Sequence, residues 1–64
     1  MNKLKALRLA AGLSQQDLAN LTGFHRATIV AVENGRWHPS MELMKKISKV
    51  FGKTVDEIFF SENG

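Results

Sequence analysis

Apolar residues recur at helical spacing in five separated stretches of this 64-residue chain. Leu4, Leu7 and Ala11 form the first set, so the spacing predicts helix one from about Lys3 to Ala11. Asn2 can cap its start and Gly12 can end it. Helix two is predicted to begin after Ser14, with Asp17 three residues on as a weaker capping box, and to end near Leu21. Helix three runs from about Arg26 to Glu33, and Asn34-Gly35 is a strong stop. Ser40 caps helix four, whose buried stripe is Leu43, Met44, Ile47, Val50 and Phe51 and whose end is Gly52. Thr54 and Glu57 form a capping box for a short helix five, with Val55, Ile58 and Phe59 apolar. Thr28 to Val32 contains β-branched residues and could be read as a strand. Helical spacing of Phe24, Ile29 and Val32 and the lack of any strand partner favour the helix.

The stretch from Gln15 to Asn34 is the most informative. Leu18, Ala19, Gly23, Ile29 and Val32 are spaced so that two short helices cross closely. Ala19 is small enough to let the second helix approach, and Gly23 can take the positive φ of a sharp turn. With Leu18, Ile29 and Val32 inward, the outer face of the second helix is free to enter a DNA major groove.

Length bounds the rest. Sixty-four residues make one domain of modest core, expected over 1–60, with a polar tail at 61–64. There is no cysteine, which removes disulfides and thiolate metal sites. His25 and His38 are too few for a structural zinc site and read as surface residues. No metal or other cofactor is therefore expected, and dimerisation is the support left open. No apolar run approaches the roughly 20 residues of a membrane span. Lys3, Lys5 and Arg8 interrupt any signal-peptide core, so a cytoplasmic protein is expected.

The net charge is +3. Residues 1–40 hold five lysines and arginines against two acids, whereas residues 41–64 hold four against four. The excess lies in the half with the helix pair, which suits a polyanionic partner. Lys45, Lys46, Lys49 and Lys53 share one side of helix four and read as a solvated face. No nucleophile–base–orienter set, metal cluster or phosphate loop is present, so an enzyme is not expected.

The order Leu4, Leu7-Arg8, Gly12-Leu13-Ser14-Gln15, Leu18-Ala19, Gly23, Arg26-Ala27-Thr28-Ile29, Glu33-Asn34-Gly35, Pro39-Ser40, Leu43, Ile47, Phe51 and Glu57-Ile58-Phe59 resembles the Cro and phage-repressor family of helix-turn-helix regulators, also called the XRE family. It is most similar to the stand-alone single-domain members of bacteria and their mobile elements. The likeness covers Leu4 to Phe59. It implies an all-α, five-helix, lambda-repressor-like DNA-binding domain, with helix three as the recognition helix.

The resemblance also implies roles for individual residues. His25, Arg26, Ala27, Val30 and Ala31 fall at base-reading positions. Ser14, Gln15, Thr28, Asn34, Arg36, Trp37, His38 and Ser40 fall beside the phosphate backbone. Arg8 and Glu33 match a pair that forms an internal salt bridge. Elementary chemistry agrees in part. Free N–H groups at the starts of helices two and four can bind phosphate oxygens. The Arg26 guanidinium can bond guanine O6 and N7 together, and the methyls of Ala27, Val30 and Ala31 can meet a thymine methyl. His25 stands where the family commonly has a capping Ser or Thr. Val30 and Ala31 stand where polar readers are frequent, which leaves more of the recognition to DNA shape.

The expected partner is a palindromic double-stranded DNA operator bound by a homodimer, with half-sites about 10–10.5 bp apart. Phe59 and Phe60 of helix five are the expected dimer contact. The competing expectation is an antitoxin or other protein-interaction module on the same bundle, for which the apolar Val30 and Ala31 speak.

Overall fold

The core is assembled from one or two aliphatic side chains per helix. Leu4, Leu18, Ala19, Ile29, Val32, Leu43, Ile47 and Ile58 are each almost fully shielded from water and form one cluster. Each large aliphatic removed from water contributes about 1.5–3 kcal/mol, and so few residues supply them that every helix is needed. The computed structural model describes residues 2–60. Over them the chain forms α1 (Leu4–Ala10), α2 (Gln15–Thr22), α3 (Arg26–Glu33), α4 (Met41–Phe51) and a final wide, π-type turn, α5 (Asp56–Phe60). The order is all-helical, without a strand among the described residues, and the segment at Thr28 to Val32 is helical. The polar tail expected at 61–64 lies outside the described residues.

Local chemistry sets the boundaries. The Asn2 Oδ1 accepts the Leu4 N–H at 3.0 Å, which orders the first turn of α1. Lys3 N–H donates to the Ile58 carbonyl at 3.1 Å, so the two ends of the domain are joined by backbone. Ala11, counted with the inward set of helix one, is exposed at the helix end. Arg8, one turn after Leu4, is the buried residue on that face instead. In α2, Ser14 Oγ accepts the Asp17 N–H and Asp17 Oδ2 accepts the Ser14 N–H, both at 2.9 Å. The helix runs one residue past Leu21 because Thr22 is buried with its hydroxyl donating to the carbonyls of Leu18 and Ala19. Gly23 then turns the chain with φ of 77°, a value that costs glycine nothing and other residues much.

The end of α3 is closed by two backbone bonds. Arg36 N–H reaches the Ala31 carbonyl at 3.0 Å, and Gly35 N–H reaches that of Val32 at 3.1 Å. This is the Schellman arrangement, and it requires the φ of 71° that Gly35 adopts. Ser40 Oγ caps α4 through the Leu43 N–H at 3.2 Å. Leu43, Met44 and Ile47 of α4 are buried, with Val50 and Phe51 partly so. Thr54 and Glu57 exchange two bonds, 2.8 and 3.1 Å, and start α5. That turn sends Ile58 inward and leaves Phe60 59% exposed.

Both reciprocal caps depend on a carboxylate. Backbone N–H donation from Ser14, then the Ser14 hydroxyl, holds the Asp17 carboxyl below its ordinary value. Thr54 does the same for Glu57, with smaller help from Lys53 and Lys3. A carboxyl with a lower pKa folded than unfolded binds protons preferentially in the unfolded chain. The stability it contributes is thus complete above the unfolded pKa and is lost as pH falls through the folded one. Thermal melts recorded from neutral pH downward should show the midpoint falling below about pH 5. The double variant Asp17→Asn, Glu57→Gln should start lower and show a shallower acid dependence.

Candidate nucleic-acid interface

Helix α3 is buried along Ile29, Val32 and Glu33 and open along the opposite side. His25, Arg26, Ala27 and Asn34 are exposed, and Thr28, Val30 and Ala31 are half-buried. Arg26, Ala27, Val30, Ala31 and Asn34 line a shallow groove of about 330 Å³ that Arg36 completes from the following loop. The two arginines are the charged residues of this groove, and no acid lines it. The first turn of α3 likewise has no acid, and His25 makes no side-chain cap. The positive end of the helix dipole is therefore uncompensated where Arg26 stands.

The groove is held in place from behind. Arg8 Nε donates to Glu33 Oε2 at 2.5 Å and Arg8 Nη2 donates to Glu33 Oε1 at 3.2 Å. Arg8 Nη1 donates to the Leu13 carbonyl at 2.8 Å. Arg8 is 6% and Glu33 3% exposed. The hydrogen bond to Glu33 raises the Arg8 pKa, burial opposes the rise, and coulombic attraction adds to it, so the guanidinium stays charged. Among the described residues no buried side-chain polar atom lacks a partner. The pair therefore meets the condition under which a buried charge is tolerated.

Two side chains extend this network. Gln15 Nε2 donates to Glu33 Oε1 at 3.2 Å, which anchors the half-buried Gln15 to the end of α3. Asn2 Nδ2 donates to the Val32 carbonyl at 3.0 Å. The last turn of α3 is thus gripped from α1, from the start of α2 and from the residues ahead of α1. The sequence reading missed the Asn2 and Gln15 contacts. Asn2 carried only a capping signal, and a backbone carbonyl acceptor leaves no mark in the sequence.

The remaining candidates separate into two places. Ser14 is exposed at the start of α2, but its oxygen is engaged by Asp17, and the Asp17 carboxylate occupies the positive end of that helix. Ser40 is exposed at the start of α4, with Glu42 in the first turn. Arg36 belongs to the α3 groove, whereas Trp37 and His38 face a second hollow of about 420 Å³ together with Phe59 and Phe60. Phe59 is partly buried against the core, and Phe60 stands out from it. His25 and His38 belong to no metal-binding cluster among the described residues.

Two short helices joined at a left-handed glycine, the second with its outer face free, define a helix-turn-helix protein. The chain belongs to the Helix-turn-helix family, whose model matches residues 4–58. It is 45% identical over 62 residues to an uncharacterized HTH-type transcriptional regulator of the archaeon Methanocaldococcus jannaschii, covering 97% of this chain and 94% of that one. It is 39% identical to the HTH-type transcriptional regulator YgzD of Bacillus subtilis, over 95% of this chain and 92% of that protein. It is also 40% identical to the HTH-type transcriptional activator BcrR of Enterococcus faecalis, over 94% of this chain but 29% of BcrR. Similar proteins thus occur in archaea as well as in bacteria. The family is one of regulators and not of enzymes. No helix among the described residues is long and apolar enough to cross a membrane.

The buried pair gives a test of what holds α3. Arg8→Met leaves the Glu33 carboxylate buried without its main partner and should cost about 3–5 kcal/mol in urea unfolding. The double variant Arg8→Met, Glu33→Leu removes both charges and should recover a large part of that loss.

Proposed function

We propose that this chain is a sequence-specific, double-stranded-DNA-binding transcriptional regulator that works in the cytoplasm as a homodimer on an approximately palindromic operator. The observation that carries the reading is the acid-free outer face of α3, with Arg26 at its N-terminal end and Arg36 beside its C-terminal end. A helix of this width fits the major groove, and its N-terminal residues are those that meet base edges. Its relatives' names as transcriptional regulators support the same reading.

The division of labour follows from the side chains. Arg26 is the one residue of the face that can bond a guanine through two donors. Ala27, Val30 and Ala31 offer methyl surface to thymine, and His25 and Thr28 flank them. Gln15, held by Glu33, retains a second amide hydrogen for a phosphate oxygen. Asn34 and Arg36 line that groove and Ser14 and Ser40 are exposed at the starts of α2 and α4; on this reading all four would meet phosphates, while Trp37 and His38 line the other hollow. One recognition helix per copy then reads one half-site, with half-site centres about 10–10.5 bp apart.

Selection from a random DNA pool would yield the operator, and titrations on it test the roles. Affinity should fall steeply with added salt, each phosphate contact adding about 0.9 to the logarithmic slope. Arg26→Ala should reduce discrimination between the selected and a scrambled site by about 10- to 100-fold. Lys49→Ala, on the outer side of α4, should leave discrimination unchanged. A protein-interaction module would instead select no DNA and would retain its partner after Arg26→Ala.

A further inference from the structure

One polar side chain from outside the helix-turn-helix reaches the recognition helix. Asn2 lies ahead of α1 and is half-buried. Its Oδ1 accepts the Leu4 N–H and its Nδ2 donates to the Val32 carbonyl, both at 3.0 Å. The two bonds together fix which way the amide points, because its oxygen can only accept and its nitrogen can only donate. The backbone beside it is held as well, since Lys3 N–H donates to the Ile58 carbonyl at 3.1 Å. Asn2 is therefore seated on α1 and α5 and holds α3. The group it holds lies in the last turn of that helix, where carbonyls lack intrahelical partners. In a continuing helix the Arg36 N–H would reach Val32, but here it bonds the Ala31 carbonyl. The Val32 oxygen instead accepts the Gly35 N–H at 3.1 Å, the bond that turns the chain towards Arg36, and the Asn2 amide.

We propose that Asn2 is a positioning residue for DNA reading. Its amide donor holds the last turn of α3, and with it Asn34 and Arg36, in the orientation that brings side chains into register with bases. The inference rests on the DNA-binding reading above and adds to it a residue that does not itself line the reading groove. Two observations separate this role from simple capping. Ordering the first turn of α1 uses the Asn2 oxygen alone, and serine or aspartate would serve there equally well. The nitrogen is needed only for Val32. The ties at Glu33 act on a side chain, which can keep its bonds while the helix tilts about it; the Asn2 bond acts on the helix backbone. Phosphate contacts tolerate a small tilt, whereas base contacts carry the sequence information and do not. Without the bond, only the fraction of molecules with α3 correctly set can read the operator, and the apparent affinity for it falls by that fraction. One hydrogen bond of ordinary net strength corresponds to about three- to tenfold.

The test compares Asn2→Ser and Asn2→Asp with the native chain, on the selected operator and on a scrambled duplex. Both replacements keep an oxygen for the Leu4 N–H. Serine is too short to reach Val32 as well, and an ionised aspartate has no donor. Discrimination between the two duplexes should fall about three- to tenfold in both variants. Asn2→Ser, which leaves the net charge unchanged, should bind the scrambled duplex within about twofold of the native chain. In the free protein, amide exchange at Gly35 and Arg36 should quicken relative to that at Ile29. Should Asn2→Ser unfold by circular dichroism, Asn2→Asp decides, because its carboxylate suits the positive end of α1 and its effect on overall charge cancels in the ratio. Discrimination unchanged within about twofold in the folded variants overturns the proposal and leaves Asn2 a cap. Equal losses on both duplexes overturn it too, since a general loss of fold or charge weakens both alike. A native chain that selects no DNA overturns the regulator reading itself, and this role of Asn2 with it.

Discussion

The Glu33 carboxylate is where three parts of this small domain are tied together. It accepts from Arg8 of α1 and Gln15 of α2 while being the last residue of α3. Through the same Arg8 the Leu13 carbonyl, in the link between α1 and α2, is drawn into the set. Removing two charges from water is costly, and their attraction repays the cost only with full hydrogen bonding. That condition is met here, so the net stability gained is modest while the geometry is strict. A hydrophobic pair at these positions would pack without the directional bonds that Glu33 makes to α1 and α2.

Those bonds matter because α3 is short. Eight residues give little more than two turns, too few to hold a direction by packing of one apolar stripe alone. Ile29 and Val32 set its depth, Gly23 its entry, and Glu33 with the Asn2 bond to Val32 its exit. Arg26 at the opposite end is an exposed side chain on a helix held at its entry and its exit. The face so presented is sparse in polar readers. On the proposed reading, Ala27, Val30 and Ala31 would make this face lean on groove width and flexibility as much as on base hydrogen bonds.

The second hollow shows how the same short segment serves two surfaces. The loop from Gly35 to Pro39 closes α3 through the Schellman bonds and contributes to both sides, Arg36 to the α3 groove and Trp37, His38 and Pro39 to the α5 hollow. Among the described residues five short helices share both surfaces. The backbone bond from Lys3 to Ile58 makes α5 part of the same frame, so the exposed Phe60 is mounted on the domain and not on a loose end.

What the sequence determined by itself is the set of helices and the stop between each pair. Periodicity placed Leu4, Leu18, Ile29, Leu43, Ile47 and Ile58 inside, and short-range capping by Ser14, Ser40 and Thr54 placed the starts, because these are interactions within one turn. Ala11, counted with the apolar set of helix one, is exposed because α1 ends just before it, and α2 stops at Thr22, between Leu21 and Gly23 as its pattern implied. Which exposed residues share a surface was decided only by the tertiary structure. Arg36 and Trp37 are adjacent in the chain yet face different hollows, and Asn2 meets Val32 thirty residues away. Such contacts depend on how helices cross, and no spacing within a single helix encodes a bond to another segment's backbone.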